Sequence, residues 1–270
     1  VQVGASIGIV TSEQCLSETE SVLRNADVAM YEAKRAGRNR WVLFDPAMHD
    51  RSARKLLVES GLRRALDARA LTVVYQPIVD LADGHMASAE ALVRWTDPEL
   101  GPVSPAEFIP IAEESSLIIA LGRQVLRMAC ADYGRWQHQD PTRAPRTFSV
   151  NVSRAELSLG AAFVDGVLEV LAAYGVPPSA LQLEVTEREV MEDADTARGV
   201  LQSLRDRGIR IAMDDFGTGT SSLACLRDFP FDVIKIDRSF ITDVAGSADL
   251  LAVMHATITL AENLGKTCVA

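Results

Sequence analysis

Two adjacent carboxylates, Asp214 and Asp215, follow an apolar run at residues 209–213 and precede a glycine-rich segment. A hydrophobic strand that ends in acidic residues can present ligands to a cation at the open edge of a sheet. Neighbouring carboxylates repel each other, and a divalent ion relieves that repulsion. Taken alone, the pair is equally typical of an Asx turn or a helix N-cap.

The other predicted strands also carry polar residues where a core strand would have Val or Ile. These residues are Glu90, Asn151, Glu184, Lys235 and Asp237. A single polar residue in a core strand is explained by a local hydrogen bond. Polar residues on several separate strands instead favour one shared site at the mouth of a barrel. Carboxylate and amide oxygens suit Mg²⁺ or Mn²⁺, and the histidines lie elsewhere in the sequence, which disfavours a histidine-based metal site.

Strands alternate with amphipathic helices from residue 71 onward, which predicts a parallel sheet. The strands are predicted at residues 71–79, 87–95, 148–152, 181–185, 209–213 and 233–236, and a seventh begins near residue 268. The Asp83-Gly84 turn signal predicts that the first two strands form a hairpin. The fold class is therefore α/β, an incomplete (β/α)8 TIM-type barrel. A doubly wound open sheet is the alternative, but its glycine-rich fingerprint after the first strand is missing.

Composition limits the partners of the chain. Its 270 residues have a net charge of -10, which argues against a broad basic surface for a nucleic-acid polymer. A small phosphate ligand remains compatible, because a bound metal supplies positive charge. The four scattered cysteines predict a reducing, cytoplasmic location. No apolar run approaches the roughly 20 residues that cross a bilayer, so no membrane contact is expected from this segment, although upstream segments of a parent protein could tether it to the inner membrane.

The amino-terminal residues 1–46 predict a strand, a helix and a strand, too small to be a domain alone. Residues 6–9, 26–34 and 37–39 resemble the carboxyl-terminal tail of a GGDEF (diguanylate cyclase) domain. The GGDEF signature would lie upstream of Val1, so this piece is not expected to make cyclic di-GMP. Residues 47–55 are predicted to be a linker running into a helix, and residues 56–270 a second domain.

The second domain resembles an EAL-type cyclic di-GMP phosphodiesterase. Four segments after the motif Glu90-Ala91-Leu92 match the family in order and spacing, at residues 149–153, 183–187, 214–223 and 235–240. Residues 76–78, upstream of the motif, and residues 107–114 match as well. The resemblance implies metal-dependent hydrolysis of cyclic di-GMP to linear pGpG, with a homodimer formed through this domain in the parent protein.

The resemblance also implies roles for individual residues. Glu90, Asn151, Glu184 and Asp214 would hold one Mg²⁺ or Mn²⁺, and Asp215 would help to hold a second. Lys235 would orient the attacking water or stabilise developing charge, unless it pairs with Asp237. Gln76, Leu92 and Arg94 would bind the substrate, with Arg94 on a phosphate unless it forms a surface ion pair. Asp237 is a further candidate for the site, whereas Glu187 and Glu189 are assigned to the surface or to a helix start.

The chain departs from the family pattern in two places. Thr220 stands where the family usually has Tyr, in a loop that governs metal placement and dimer contacts. The last strands of the barrel, with a further active-site Glu, would lie beyond Ala270, so this fragment is expected to have little turnover by itself. A non-catalytic module that senses cyclic di-GMP and an unrelated Mg²⁺-dependent barrel, such as an enolase-like lyase, are the alternatives.

Overall fold

The computed structural model describes residues 4–11, 19–217, 222–242 and 246–270. These residues divide into two compact units, Val1–Gly61 and Leu62–Ala270. Among the described residues, no helix combines the length and the apolar character that a membrane-spanning segment needs.

The first unit contains two parallel strands and two helices. Its elements are β1 (Ile7–Ile9), α1 (Thr19–Arg35), β2 (Trp41–Leu43) and the start of α2 (Ala47–Asp67). Ala29 of α1 packs with Phe44 and Met48 in a small buried cluster.

Residues 47–55 are helical from Ala47, where the sequence predicted a linker running into a helix. Asp45 explains the early start, because its Oδ1 accepts a hydrogen bond from the backbone N–H of Ala47 at 3.0 Å. Met48 is buried in the core cluster, so packing also fixes this first turn. Residues 47–55 are mostly polar, so the sequence did not indicate that Met48 packs into the core.

The second unit is built on an eight-stranded sheet with the spatial order β3-β4-β6-β7-β8-β9-β10, in which β5 pairs with the end of β4. Its strands are β3 (Thr72–Val79), β4 (Met86–Asp97), β5 (Gly101–Val103), β6 (Thr147–Asn151), β7 (Leu181–Thr186), β8 (Arg210–Phe216), β9 (Val233–Ile236) and β10 (Thr267–Val269). Strands β3 and β4 form the predicted antiparallel hairpin. All pairings from β4 through β6 to β10 are parallel. This arrangement confirms the prediction of an incomplete (β/α)8 barrel.

Helices occupy the connections between the parallel strands. They are α3 (Pro105–Glu114), α4 (Ile118–Gln139), α5 (Arg154–Leu157), α6 (Ala161–Tyr174), α7 (Glu187–Met191), α8 (Ala194–Arg205), α9 (Ser222–Asp228), α10 (Arg238–Ile241) and α11 (Ala248–Asn263). The short helices α5, α7 and α10 begin within three residues of the ends of β6, β7 and β9. Because parallel strands end at one edge of the sheet, these helix starts and the preceding strand ends lie at the same mouth.

Candidate functional site

Three carboxylates from separate strands meet at the mouth of the sheet. Glu90 of β4, Glu184 of β7 and Asp214 of β8 each place a carboxylate oxygen within 4.8 Å of the others. We call these three residues the acidic cluster. Glu184 is fully buried, whereas Glu90 and Asp214 are partly exposed. Their oxygens are therefore close enough to bind a common cation from the open side.

The ammonium group of Lys235 lies among the three carboxylates. Its Nζ donates hydrogen bonds to Glu90 Oε2 at 2.9 Å, to Asp214 Oδ2 at 3.1 Å and to Glu184 Oε2. Burial lowers the pKa of Lys235, but the charges of Glu184, Asp214 and Glu90 raise it, and the net shift is upward. Lys235 is therefore a cation that partly neutralises the cluster.

Within the part of the chain that the structure describes, no ion pair joins Lys235 to Asp237. The ion pairs that the structure describes for Lys235 go to the acidic cluster. Asp237 instead caps helix α10, where its Oδ1 accepts from the backbone N–H of Ser239 at 2.9 Å. The hydrogen bonds from Ser239 lower the pKa of Asp237.

Asn151 stands beside the acidic cluster. It is the register partner of Glu184 on the neighbouring strand, and its Nδ2 donates to Glu90 Oε1 at 3.0 Å. This contact leaves the amide oxygen of Asn151 as a candidate ligand, since a carboxamide oxygen accepts while its nitrogen donates. The structure therefore brings together Glu90, Asn151, Glu184 and Asp214.

Asp215 adopts a left-handed backbone conformation, with φ 51°. The pairing of β8 with β9 shifts register between Met213 and Phe216, so Asp215 lies in a local irregularity of the strand. Its backbone N–H donates to Asp214 Oδ1 at 3.0 Å, and its side chain contacts Asp237. Burial raises the pKa of Asp215, and the charges of Asp214 and Asp237 raise it further. Asp215 therefore belongs to the rim next to the cluster, on the side of Asp237.

The predicted substrate-binding residues fall into two groups. Leu92 and Arg94 line a cavity of about 270 Å³ that also borders Asn151. Arg94 Nη1 donates to the carbonyl of Val93 at 2.8 Å, and no ion pair of Arg94 is found in the described part of the chain. Gln76 is exposed and lies opposite Glu90 on the neighbouring strand, outside the lining of that cavity.

Two capping boxes terminate the strands that carry Asn151 and Glu184. After β6, Glu156 Oε2 accepts from the backbone N–H of Ser153 at 2.9 Å, and Ser153 Oγ accepts from the backbone N–H of Glu156. After β7, Thr186 and Glu189 make the same reciprocal pair. Each box starts two residues after a candidate ligand, so it fixes the direction in which the chain leaves the strand.

Glu156 and Glu189 line the same cavity as Arg94. Burial raises the pKa of each to about 7, and Glu189 also feels the charges of Glu113 and Glu156. Glu189 thus lies in the first turn of helix α7, the second of the two assignments made from the sequence, but its carboxylate lines the cavity. Sequence reasoning missed Glu156, although the Ser-x-x-Glu spacing after a strand is a readable capping signal.

A close contact holds the Glu156 carboxylate against helix α4. A Cβ atom added at Gly122 would lie 2.0 Å from Glu156 Oε1, so only glycine permits this approach. Gly217 has a similar requirement at the end of β8, because its φ is 102° and an added Cβ would lie 2.6 Å from the ring of Phe240. The loop residues after Gly217, including Thr220, lie outside the described residues.

Comparison with protein families identifies both parts of the chain. The EAL domain model matches residues 59–270, and the diguanylate cyclase GGDEF domain model matches residues 1–40.

Two curated relatives come from Pseudomonas aeruginosa. MucR, a bifunctional diguanylate cyclase/cyclic di-GMP phosphodiesterase, is 38% identical over 270 residues, which is 100% of this chain and 39% of MucR. The cyclic di-GMP phosphodiesterase NbdA is 38% identical over 271 residues, covering 99% of this chain and 33% of NbdA. The chain thus spans well under half the length of these relatives.

A solved structure of the PaMucR phosphodiesterase in complex with c-di-GMP superposes with a TM-score of 0.72 and 37% identity. The match covers 78% of this chain and 85% of that chain. Both the sequence and the fold of the second unit therefore have characterised counterparts.

Proposed function

Because the chain belongs to the EAL-domain family and begins with a GGDEF-family segment, we propose that it is the hydrolytic part of a cyclic di-GMP phosphodiesterase. The reaction is hydrolysis of one phosphodiester bond of cyclic di-GMP to give linear pGpG. The similarity to MucR and NbdA supports this substrate, since both bear that activity in their names. A homodimer and a cytoplasmic location are part of the same proposal.

The observation that carries the proposal is the convergence of the acidic cluster with Lys235. Three carboxylates within 4.8 Å of one another are costly to assemble without compensating positive charge. Lys235 supplies one positive charge, so the cluster retains an excess of negative charge. This excess suits a divalent cation.

The donor atoms fit Mg²⁺ or Mn²⁺. Oxygen ligands from Glu90, Glu184, Asp214 and the amide of Asn151 would hold a first ion, and Asp215 would contribute to a second. Once bound, such ions supply positive charge to the phosphate and acidify a water molecule.

The protein residues have their own tasks in this reaction. Lys235 keeps its proton, as its raised pKa requires, and orients the water or stabilises charge that develops on the phosphate. Arg94 faces the cavity next to Asn151 and is available for a bidentate contact with a phosphate. Leu92 contacts the nucleoside from the same cavity, while exposed Gln76 contributes at the edge of the site.

Asp215 and Asp237 complete the polar rim of the site. Their side chains interact, and Asp237 is fixed by its cap on helix α10. We assign Asp215 to ion binding and Asp237 to the positioning of Asp215.

The test uses the intact protein that contains this chain. It is incubated with cyclic di-GMP and Mg²⁺, and pGpG is quantified by chromatography with and without a chelator. We expect chelator-sensitive formation of pGpG and its loss in Glu90→Gln. Tight binding of cyclic di-GMP without pGpG would contradict the proposal and favour the non-catalytic sensor. Retained hydrolysis in Glu90→Gln would show that the ligand assignment is wrong.

A further inference from the structure

Two buried polar residues lie beneath Glu184 in the interior of the barrel. Gln182 precedes Glu184 by two residues on β7, so both side chains face the same side of the sheet. Gln182 is 3% exposed, and its register partner on β6, Ser149, is fully buried. Neither belongs to the set of candidate ligands, and a barrel interior at this depth is ordinarily filled by apolar side chains.

The two oxygens of Glu184 receive hydrogen bonds from different sides. Gln182 Nε2 donates to Oε1 at 3.3 Å, whereas Lys235 Nζ donates to Oε2. Ser149 Oγ is buried and has no hydrogen-bond partner among the described residues. Burial raises the pKa of Glu184, although Lys235 and Ser149 act in the opposite direction. The Glu184 carboxylate is thus held in one rotational orientation by donors below it and beside it.

Burying an amide is costly unless the amide finds a partner. The hydrogen bond that the structure describes for the Gln182 side chain goes to Glu184. An apolar residue of the same length would fill the space equally well and would remove this cost. The amide of Gln182 therefore does more than fill space, because it donates a hydrogen bond to the Glu184 carboxylate.

We propose that Gln182 is a positioning residue, which orients the carboxylate of Glu184 toward the acidic cluster for binding of a divalent cation, with Ser149 as its auxiliary. The inference deepens the proposed function, since it depends on the same ion site. Partners behind a metal ligand fix its orientation, and their loss typically lowers metal affinity about 10–100-fold.

The experiment measures Mn²⁺ binding to the metal-free intact protein by isothermal titration calorimetry, without substrate. Gln182→Met keeps the length of the side chain and removes the donor, and we expect it to weaken Mn²⁺ binding about tenfold or more. Glu184→Gln gives the baseline for loss of a direct ligand. Circular dichroism checks that each variant is folded.

Ser88→Ala is the matched control. Ser88 is a buried residue of β4, two residues before Glu90, and its Oγ donates to the carbonyl of Thr147 at 3.2 Å. This substitution removes a buried hydrogen bond from the same interior without touching a carboxylate. We expect it to leave Mn²⁺ affinity unchanged.

Gln182→Asn covers the case in which Gln182→Met does not fold. It retains an amide but withdraws the donor by one methylene, so weaker Mn²⁺ binding is again expected. Wild-type affinity in a folded Gln182→Met or Gln182→Asn variant, together with loss of affinity in Glu184→Gln, would overturn the positioning role and leave the proposed function standing. Absence of Mn²⁺ binding by the unmodified protein would overturn the proposed function as well.

Discussion

Lys235 Nζ lies 2.9 Å from Oε2 of Glu90, although the two residues are 145 positions apart in the chain. The contact joins β9 to β4 across the mouth of the sheet. It also means that the acidic cluster carries its own internal cation. Stability and ion binding should therefore be coupled at this site.

Lys235→Met is expected to destabilise the metal-free protein. The substitution keeps much of the side-chain volume but leaves three close carboxylates without the ammonium group. Breaking a buried ion pair in this way typically costs about 3–5 kcal/mol. Denaturant unfolding in EDTA measures the loss, and added Mg²⁺ should restore stability more in the variant than in the unmodified protein.

Lys266→Met serves as the comparison for this substitution. Lys266 is a partly buried lysine whose Nζ donates to the carbonyl of Phe231, not to a carboxylate. Its replacement should not make stability depend on Mg²⁺. An unchanged free energy of unfolding for Lys235→Met in EDTA would contradict the expected repulsion.

Asp215→Asn separates the charge of Asp215 from its backbone conformation. Asparagine tolerates the left-handed region in which Asp215 lies, so the free energy of unfolding should stay within about 0.5 kcal/mol or rise as repulsion from Asp214 and Asp237 is relieved. Hydrolysis of cyclic di-GMP should fall about 10–100-fold.

Asp215→Ala tests the conformational part of this prediction. Alanine at φ 51° should lower stability by about 1 kcal/mol, because alanine adopts the left-handed conformation less readily than asparagine. Both substitutions remove the same charge, so the difference between them reports the backbone strain. Full turnover in Asp215→Asn would remove Asp215 from the ion site.

The sequence predicted which strand ends approach one another, because polar residues interrupt an otherwise apolar period of two. Glu90, Asn151, Glu184 and Asp214 stand out in this way, and the parallel order of β4, β6, β7 and β8 then brings their ends to one mouth. The incomplete barrel followed from the same alternation of strands and helices. These features depend on local pattern and on chain order alone.

The remaining features depend on side-chain contacts between distant strands. Lys235 pairs with the acidic cluster and not with Asp237, because Asp237 caps helix α10. The left-handed conformation of Asp215 depends on a register shift against β9. Gln182 alternates with Leu181 and Leu183, a pattern that is typical of a strand with one solvent-facing side, and its burial depends on how the sheet curves.

The capping residues Glu156 and Glu189 should make stability depend on pH. Burial raises the pKa of each from 4.5 to about 7, so the folded state binds protons more tightly than the unfolded state. The stabilisation from this effect is present below about pH 4.5 and is lost as pH rises through about 7. The free energy of unfolding contributed by these two groups should therefore decrease across that interval.

The double substitution Glu156→Gln and Glu189→Gln tests this dependence. Glutamine can keep the side-chain acceptor of a capping box, so the local structure should persist. Urea unfolding at several pH values between 4.5 and 7.5 should show a flatter curve for the double variant than for the unmodified protein. The difference between the two curves cancels contributions from histidines and surface acids. Parallel curves would show that folding does not raise the pKa values of Glu156 and Glu189.

Gly217→Ala should destabilise the end of β8, where the chain leaves the acidic cluster. The φ of 102° disfavours any side chain, and the added Cβ would lie 2.6 Å from the Phe240 ring, so a loss of about 1–3 kcal/mol is expected. Gly199→Ala is the control, because this glycine lies in helix α8 with nothing within 4 Å of an added Cβ. Alanine there should instead raise stability by about 0.5–1 kcal/mol. If Gly217→Ala unfolds at the same urea concentration as the unmodified protein, neither the positive φ of Gly217 nor its contact with Phe240 constrains the end of β8.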